Sequence, residues 1–212
     1  MTKKILALAS LLALTLVGVA IAASGTPSPE DDNIKGTAGN DTISAQSGND
    51  KVSGRGGDDT LNGDDGNDRV KGDAGEDNVN GGSGNDKLSG GKDDDEVNGD
   101  AGNDRLRGDK GDDDLDGGEG DDRLKGGRGA DEMDGGDGAD RIDAKGGGRK
   151  SGPDEVDCGA GDGDVDHVRA DRNDTVTGCG PEDKVKQKGR PQGDEDQAQR
   201  RANRRAHPRH DS

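Results

Sequence analysis

The sequence contains no tryptophan, tyrosine or phenylalanine, and only 23% of its 212 residues are hydrophobic. A chain with so few large apolar side chains cannot build the core of an ordinary globular domain. No segment is long and apolar enough for a catalytic domain, and neither G-x-S-x-G nor H-E-x-x-H occurs. We therefore expect no enzyme; a toxin or hydrolase is the least favoured of the functions considered.

Glycine and charge are abundant where apolar residues are scarce. The chain has 41 glycines, 37% charged residues and a formal net charge of -18. Low hydrophobicity with high net charge is typical of intrinsically disordered proteins. Composition alone therefore favours a disordered polyanion.

A strict nine-residue period argues against simple disorder. An aliphatic residue occupies every ninth position: Ile34, Ile43, Val52, Leu61, Val70, Val79, Leu88, Val97, Leu106, Leu115, Leu124, Met133 and Ile142. An aspartate lies two residues before each of the last twelve: Asp41, Asp50, Asp59, Asp68, Asp77, Asp86, Asp95, Asp104, Asp113, Asp122, Asp131 and Asp140. A merely solvated acidic tract has no physical reason to keep this register.

Glycine-rich turns separate these anchors, as in Gly81-Gly82-Ser83-Gly84-Asn85-Asp86-Lys87-Leu88-Ser89. The pattern is G-G-x-G-x-D-x-U-x, where U is a large aliphatic residue. From Ile34 to Ile142, about half of the chain, the sequence resembles the RTX, or haemolysin-type calcium-binding, repeat family. The resemblance implies an all-β fold, a right-handed parallel β-roll or β-helix-like solenoid, in which two units form one coil.

The same resemblance implies several calcium ions held between stacked turns. The ligands would be the twelve aspartates and the backbone carbonyls of the glycine-rich turns. Calcium suits such a site because it accepts six to eight oxygen ligands in flexible geometry. Thirteen aliphatic side chains cannot by themselves offset the conformational entropy of so glycine-rich a chain. We therefore expect the array to fold only when it binds calcium.

Three departures from the pattern are visible. Ala45 replaces the first glycine of the turn that ends at Asp50, and Asp93 replaces a later glycine of another turn. We expect these two turns to be strained or to bind weakly. The turn 144–149 lacks the aspartate, so the regular array, assigned to residues 34–150, ends there.

The N-terminal residues resemble a secretory signal peptide. Lys3 and Lys4 precede an apolar run, and Ala20-Ile21-Ala22 offers a cleavage signal. We assign residues 1–22 to the signal and 23–33 to a linker, and expect a secreted, extracellular protein without a membrane span after cleavage. An uncleaved anchor is the alternative, because the run approaches spanning length.

Residues 151–180 retain Asp-x-aliphatic segments at irregular spacing and are interpreted as a degenerate C-terminal capping unit. They contain the only cysteines, Cys158 and Cys179. In a secreted protein a disulfide between them is the natural assignment. A metal site formed by these cysteines with His167 is the alternative, although it lacks C-x-x-C spacing and a fourth ligand.

Residues 181–212 are rich in lysine and arginine and are interpreted as a disordered basic tail. Such a tail could bind an anionic cell-surface polymer. Nucleic acid is a poor candidate partner because the tail lacks aromatic residues. Two functions therefore stay open: a secreted calcium-binding repeat protein, or a structural or adhesive cell-surface module tethered by its tail.

Overall fold

The computed structural model describes residues 27–146, 152–159 and 165–187, which form parallel strands joined by tight turns. The expected signal peptide (residues 1–22) and the tail from residue 188 onward lie outside the described residues. Among the residues that are described, no helix is long and apolar enough to cross a membrane.

The strands form two sheets. The first sheet contains β1 (Asn33–Lys35), β3 (Lys51–Ser53), β5 (Arg69–Lys71), β7 (Lys87–Ser89), β8 (Gly91–Lys92), β10 (Arg105–Lys110), β12 (Arg123–Arg128), β14 (Arg141–Asp143), β16 (His167–Ala170) and β18 (Lys184–Gln187). The second sheet contains β2 (Thr42–Ser44), β4 (Thr60–Asp65), β6 (Asn78–Ser83), β9 (Glu96–Ala101), β11 (Asp114–Asp116), β13 (Glu132–Asp134), β15 (Glu155–Asp157) and β17 (Thr175–Thr177). Apart from β8, which pairs with β10, the strands of each sheet follow one another in chain order.

The register shows that two nine-residue units form one coil. Val52 pairs with Val70 in the first sheet, and Leu61 pairs with Val79 in the second. Successive units thus alternate between the two sheets, and from β1 to β14 each strand pairs with the strand 18 residues further along. The predicted all-β parallel roll is confirmed.

A narrow core runs between the two sheets. Side chains alternate along a strand, so the residue in the middle of each Asp-x-aliphatic-x segment points inward. Leu61, Leu115 and Ile142 are fully buried, and the residues on either side of each are polar. One aliphatic side chain per strand fills this core, which explains how a chain without aromatic residues can fold.

The turns require close approach of successive coils. Gly84 has a φ of 134°, and a Cβ there would collide with the carbonyl oxygen of Gly66. Asp93, at a position where glycine is usual, adopts a φ of 70°, a conformation that aspartate tolerates better than most residues. Ala45, the other departure, is fully buried.

The roll extends beyond the limits expected from the array. In the segment assigned as linker, the Asp32 carbonyl accepts a hydrogen bond from the Lys51 N–H at 2.9 Å. At the other end, β15 to β18 continue both sheets, and β18 lies in the segment assigned as basic tail. The physical reason is that Asp32-Asn33-Ile34 and Asp183-Lys184-Val185 repeat the Asp-x-aliphatic segment.

Candidate metal centres

The twelve predicted ligands lie where each turn meets its strand, and all are at most 5% exposed. Because alternate units belong to alternate sheets, these aspartates form two columns. The first-sheet column contains Asp50, Asp68, Asp86, Asp104, Asp122 and Asp140. The second-sheet column contains Asp41, Asp59, Asp77, Asp95, Asp113 and Asp131.

One oxygen of each carboxylate links successive coils. The Asp86 N–H donates to Asp104 Oδ1 at 2.7 Å, and the Asp104 N–H donates to Asp122 Oδ1 at 2.7 Å. The second-sheet column repeats this bond, for example from the Asp77 N–H to Asp95 Oδ1 at 2.9 Å. These bonds fix the orientation of each carboxylate.

The other oxygen, Oδ2, is buried and accepts no hydrogen bond in eleven of the twelve. These are Asp50, Asp59, Asp68, Asp77, Asp86, Asp95, Asp104, Asp113, Asp122, Asp131 and Asp140. A buried carboxylate oxygen without a partner is costly, and native proteins contain few. Eleven such oxygens in regular stacks form an arrangement that bound cations would satisfy.

Glycine keeps the space beside Oδ2 open in ten of these eleven turns; the turn of Asp50 has Ala45 at that position. A Cβ on Gly99 would lie within 3.0 Å of both Asp104 Oδ2 and the Gly117 carbonyl oxygen of the next coil. The turn at Gly63 has the same arrangement around Asp68. Each such space, here called a cradle, has a carboxylate oxygen beside it, and the cradles at Gly63 and Gly99 also have a backbone oxygen; oxygen is the ligand type that calcium prefers. The residues fit the ion that the sequence predicts.

Burial also disfavours the ionised form of these aspartates. Burial, together with the charges of the stacked neighbours Asp113 and Asp77, raises the pKa of Asp95 to about 8. Burial raises the pKa to about 7 for Asp113, Asp122 and Asp140. It raises the pKa to about 6 for Asp68, Asp77, Asp86, Asp104 and Asp131. Near neutral pH these columns need either protons or a cation.

Comparison with known families agrees with this geometry. The profile of the RTX calcium-binding nonapeptide repeat matches residues 28–61, 53–88, 80–115, 89–124 and 116–148, which together cover more than half of the chain. The chain belongs to the RTX calcium-binding nonapeptide repeat family. No curated protein matches it.

Asp41 differs from the other eleven predicted ligands of this RTX roll. Its Oδ2 accepts hydrogen bonds from the Thr37 N–H at 2.5 Å and from Thr37 Oγ1 at 3.0 Å. Thr37 occupies the place of the second glycine in the repeat. The first turn of the second-sheet column is thus closed by the protein's own donors.

Five aspartates outside the predicted set extend the two columns. Their Oδ1 atoms or N–H groups continue the same ladder: Asp32, Asp154, Asp166, Asp174 and Asp183. Each precedes an aliphatic residue by two positions, which is the signal that could have found them. The nine-residue period also reaches Asp32, nine residues before Asp41, but not the other four, because in this RTX chain the ladder steps after Asp131 and Asp140 are 23 and 26 residues long.

The cysteines lie in the extended end of the RTX roll. The Sγ atoms of Cys158 and Cys179 are bonded, with Cα atoms 5.0 Å apart. An Asp183 carboxylate oxygen lies within 4.8 Å of both sulphurs, but bonded sulphurs offer no thiolate to a metal. His167 is not part of this group; its Nδ1 lies 3.2 Å from the Val165 carbonyl oxygen.

Proposed function

We propose that this chain is a secreted, non-catalytic calcium-binding protein whose β-roll folds when it binds calcium. The observation that carries the proposal is the set of eleven buried, unpartnered Oδ2 atoms stacked along the two columns. Buried ionised carboxylates are retained in proteins when they are paired or coordinate a metal. The family of the chain supports calcium as that metal.

Each interior aspartate has two tasks in this proposal. Its Oδ1 accepts the N–H of the preceding coil, as Asp104 does from Asp86 at 2.7 Å. Its Oδ2, with glycine carbonyl oxygens of adjacent turns, holds a calcium ion, which supplies the positive charge that the stacked carboxylates lack. One unpartnered oxygen per turn indicates about ten ions per chain.

Without calcium, few interactions stabilise the folded roll. Its core contains one aliphatic side chain per strand, and its stacked carboxylates repel one another. Binding free energy therefore becomes folding free energy. We propose that the chain is largely unfolded when calcium is absent.

Export fits this behaviour. We propose that residues 1–22 act as a signal peptide, that the chain crosses the membrane unfolded, and that calcium outside the cell folds it. We also propose that the bond between Cys158 and Cys179 forms in that oxidising environment and secures the C-terminal end of the roll.

Far-UV circular dichroism of the chain from Ala23 onward, during a calcium titration, tests the proposal. We expect a cooperative gain of β signal with calcium and no comparable gain with magnesium, which demands tight octahedral geometry and dehydrates reluctantly. Full β signal in excess chelator, or no change up to several millimolar calcium, would contradict it.

The number of bound ions provides a second, independent readout. After equilibrium dialysis in calcium, elemental analysis should find about ten calcium ions per chain, as the unpartnered Oδ2 atoms indicate. A value of one or two ions would leave the columns without their proposed role, even if the chain folds.

A further inference from the structure

The outward side chains of the first sheet carry a regular row of positive charges. The residue just before the buried aliphatic side chain is lysine or arginine in six successive strands. We call this set the basic row: Lys51, Arg69, Lys87, Arg105, Arg123 and Arg141. All six are exposed, and within the described part of the chain no ion pair neutralises them.

The register places these cations directly opposite one another. Arg69 pairs with Lys87, Lys87 with Arg105, and Arg105 with Arg123. Like charges directly opposite on neighbouring strands destabilise a sheet. The basic row therefore costs the isolated roll stability.

The second sheet carries the opposite charge at the same position. Glutamate or aspartate occupies it in four successive strands, which we call the acidic row: Glu96, Asp114, Glu132 and Glu155. These residues also pair directly with one another, from Glu96 to Asp114 and from Asp114 to Glu132. Thr42, Thr60 and Asn78 occupy the earlier strands, so no cation interrupts this face.

We propose that the basic row of one copy of this protein docks on the acidic row of a second copy. Both rows repeat once per coil, so their charges share one axial spacing of about 4.8 Å. A carboxylate can therefore meet a cation at each of four successive coils. The contact relieves the repulsion within both rows at once.

The two rows lie on opposite sheets, so every copy offers both halves of the contact. Such a contact is heterologous and can continue from copy to copy. The matched period favours a second copy over an unrelated polyanion, whose charges have no reason to repeat with the coil. The six-residue basic row also exceeds the four-residue acidic row, which leaves room for staggered copies.

The association depends on the folded roll, and thus rests on the proposed function. Only folding brings residues 18 positions apart into rows, and calcium in the turns would offset the acidic columns that otherwise repel a second copy. Circular dichroism in calcium, recorded on every variant, separates a failure to fold from a failure to associate.

Three variants test the docking. The basic-row variant carries Lys87→Glu, Arg105→Glu and Arg123→Glu. The acidic-row variant carries Glu96→Lys, Asp114→Lys and Glu132→Lys. A control with Arg200→Glu, Arg201→Glu and Arg204→Glu changes the net charge as much as the basic-row variant but leaves both rows intact.

Sedimentation of the chain from Ala23 onward, in calcium at low ionic strength, gives the readout. We expect the mass of the wild type and of the control to rise with concentration, and each row variant to associate at least about tenfold more weakly. An equimolar mixture of the two row variants should associate again, because the intact basic row of one variant then meets the intact acidic row of the other. Added salt should weaken every association.

Three results would overturn the proposal: a monomeric wild type, association that persists in either row variant, or a mixture that does not associate. If a charge reversal prevents folding in calcium, the milder set Lys87→Gln, Arg105→Gln and Arg123→Gln replaces it. That set should also weaken association, and unchanged association would count against the docking.

Discussion

The interior turns and the end turns of the roll use the same aspartate in different ways. In the interior, Asp104 Oδ1 accepts an N–H from the preceding coil, and its Oδ2 is buried without a partner. At the N-terminal end, the protein itself occupies the Oδ2: Asp32 Oδ2 accepts the Ser28 N–H at 2.7 Å, and Asp41 Oδ2 accepts the Thr37 N–H at 2.5 Å. At the C-terminal end, Asp183 Oδ2 accepts the Gly180 N–H.

The difference distinguishes interior coils, whose Oδ2 atoms have no hydrogen-bond partner, from ends whose Oδ2 atoms accept a backbone N–H. An aspartate that receives a second backbone donor has no unpaired oxygen and needs no ion. An interior aspartate has the turn of the next coil beside it, and glycine leaves a space there instead of a donor. We infer that calcium holds the interior together, while hydrogen bonds close the ends.

Of the substitutions considered, replacing the unpartnered Oδ2 of an interior aspartate should raise the calcium midpoint for folding the most. In Asp104→Asn the amide keeps an acceptor for the Asp86 N–H, but its nitrogen cannot ligate calcium and one negative charge is lost. We expect the calcium midpoint for folding, measured by circular dichroism, to rise roughly tenfold.

The end aspartate Asp183 provides the matched control. In Asp183→Asn the same chemical change falls where Oδ2 accepts the Gly180 N–H, so no ion site is lost. Its calcium midpoint should stay within about twofold of the wild type. Equal shifts in the two variants would remove the distinction between interior and end.

A methyl group placed beside Oδ2 should raise the calcium midpoint for folding less than the loss of the carboxylate does. In Gly99→Ala the new methyl group would lie within 3.0 Å of Asp104 Oδ2 and the Gly117 carbonyl oxygen. We expect the calcium midpoint to rise about threefold to fivefold, because the ligands must move apart. Gly56→Ala is the control: its methyl group would lie 3.5 Å from the Ala74 carbonyl oxygen, an ordinary contact, and its midpoint should not change.

The interior of the roll should also respond to pH. Burial raises the pKa of Asp68 to about 6, of Asp122 to about 7 and of Asp95 to about 8, whereas the unfolded value lies near 4. Between pH 5.5 and 8.5 the unfolded chain stays ionised while the folded, metal-free roll loses protons. The stability of the metal-free roll must therefore fall as pH rises through this window.

Two titrations check this expectation. In chelator, the β signal should be greater at pH 5.5 than at pH 8.5. In calcium, the midpoint should be higher at pH 5.5, because protons compete with calcium for the same oxygens. A metal-free β signal that increases with pH would show that the buried carboxylates do not control folding.

The sequence predicts the interior of the roll well because the nine-residue register determines both which side chains point inward and which aspartates stack. The aliphatic residue at every ninth position fixes which side chains point inward, and Asp86 and Asp104 stack because two units complete a coil. The C-terminal end does not follow this register because its ladder steps change length, from 18 residues to 23 after Asp131. There only the Asp-x-aliphatic segment persists.

Two other features need the fold before they have meaning. Thr37 is visible as a departure from glycine, but only the structure shows that it occupies the Oδ2 of Asp41. Lys51, Thr60, Arg69 and Asn78 appear in the sequence simply as polar outward residues. The charge pattern becomes clear once alternate units are assigned to opposite sheets.

The smallest expected effect on calcium binding comes from the disulfide. Cys158 and Cys179, 21 residues apart in sequence, join the turns near β15 and β17. Replacing both with serine should loosen the C-terminal end, since closing a loop of this length contributes about 3 kcal/mol in the chain-entropy model. Amide exchange in β15 to β18 should therefore become faster in calcium, with little change in β4 to β12. The calcium midpoint should stay within about twofold of the wild type, because no interior cradle is altered. A shift as large as that of Asp104→Asn would mean that the end and the interior fold as one unit, and that the disulfide supports calcium binding throughout the roll.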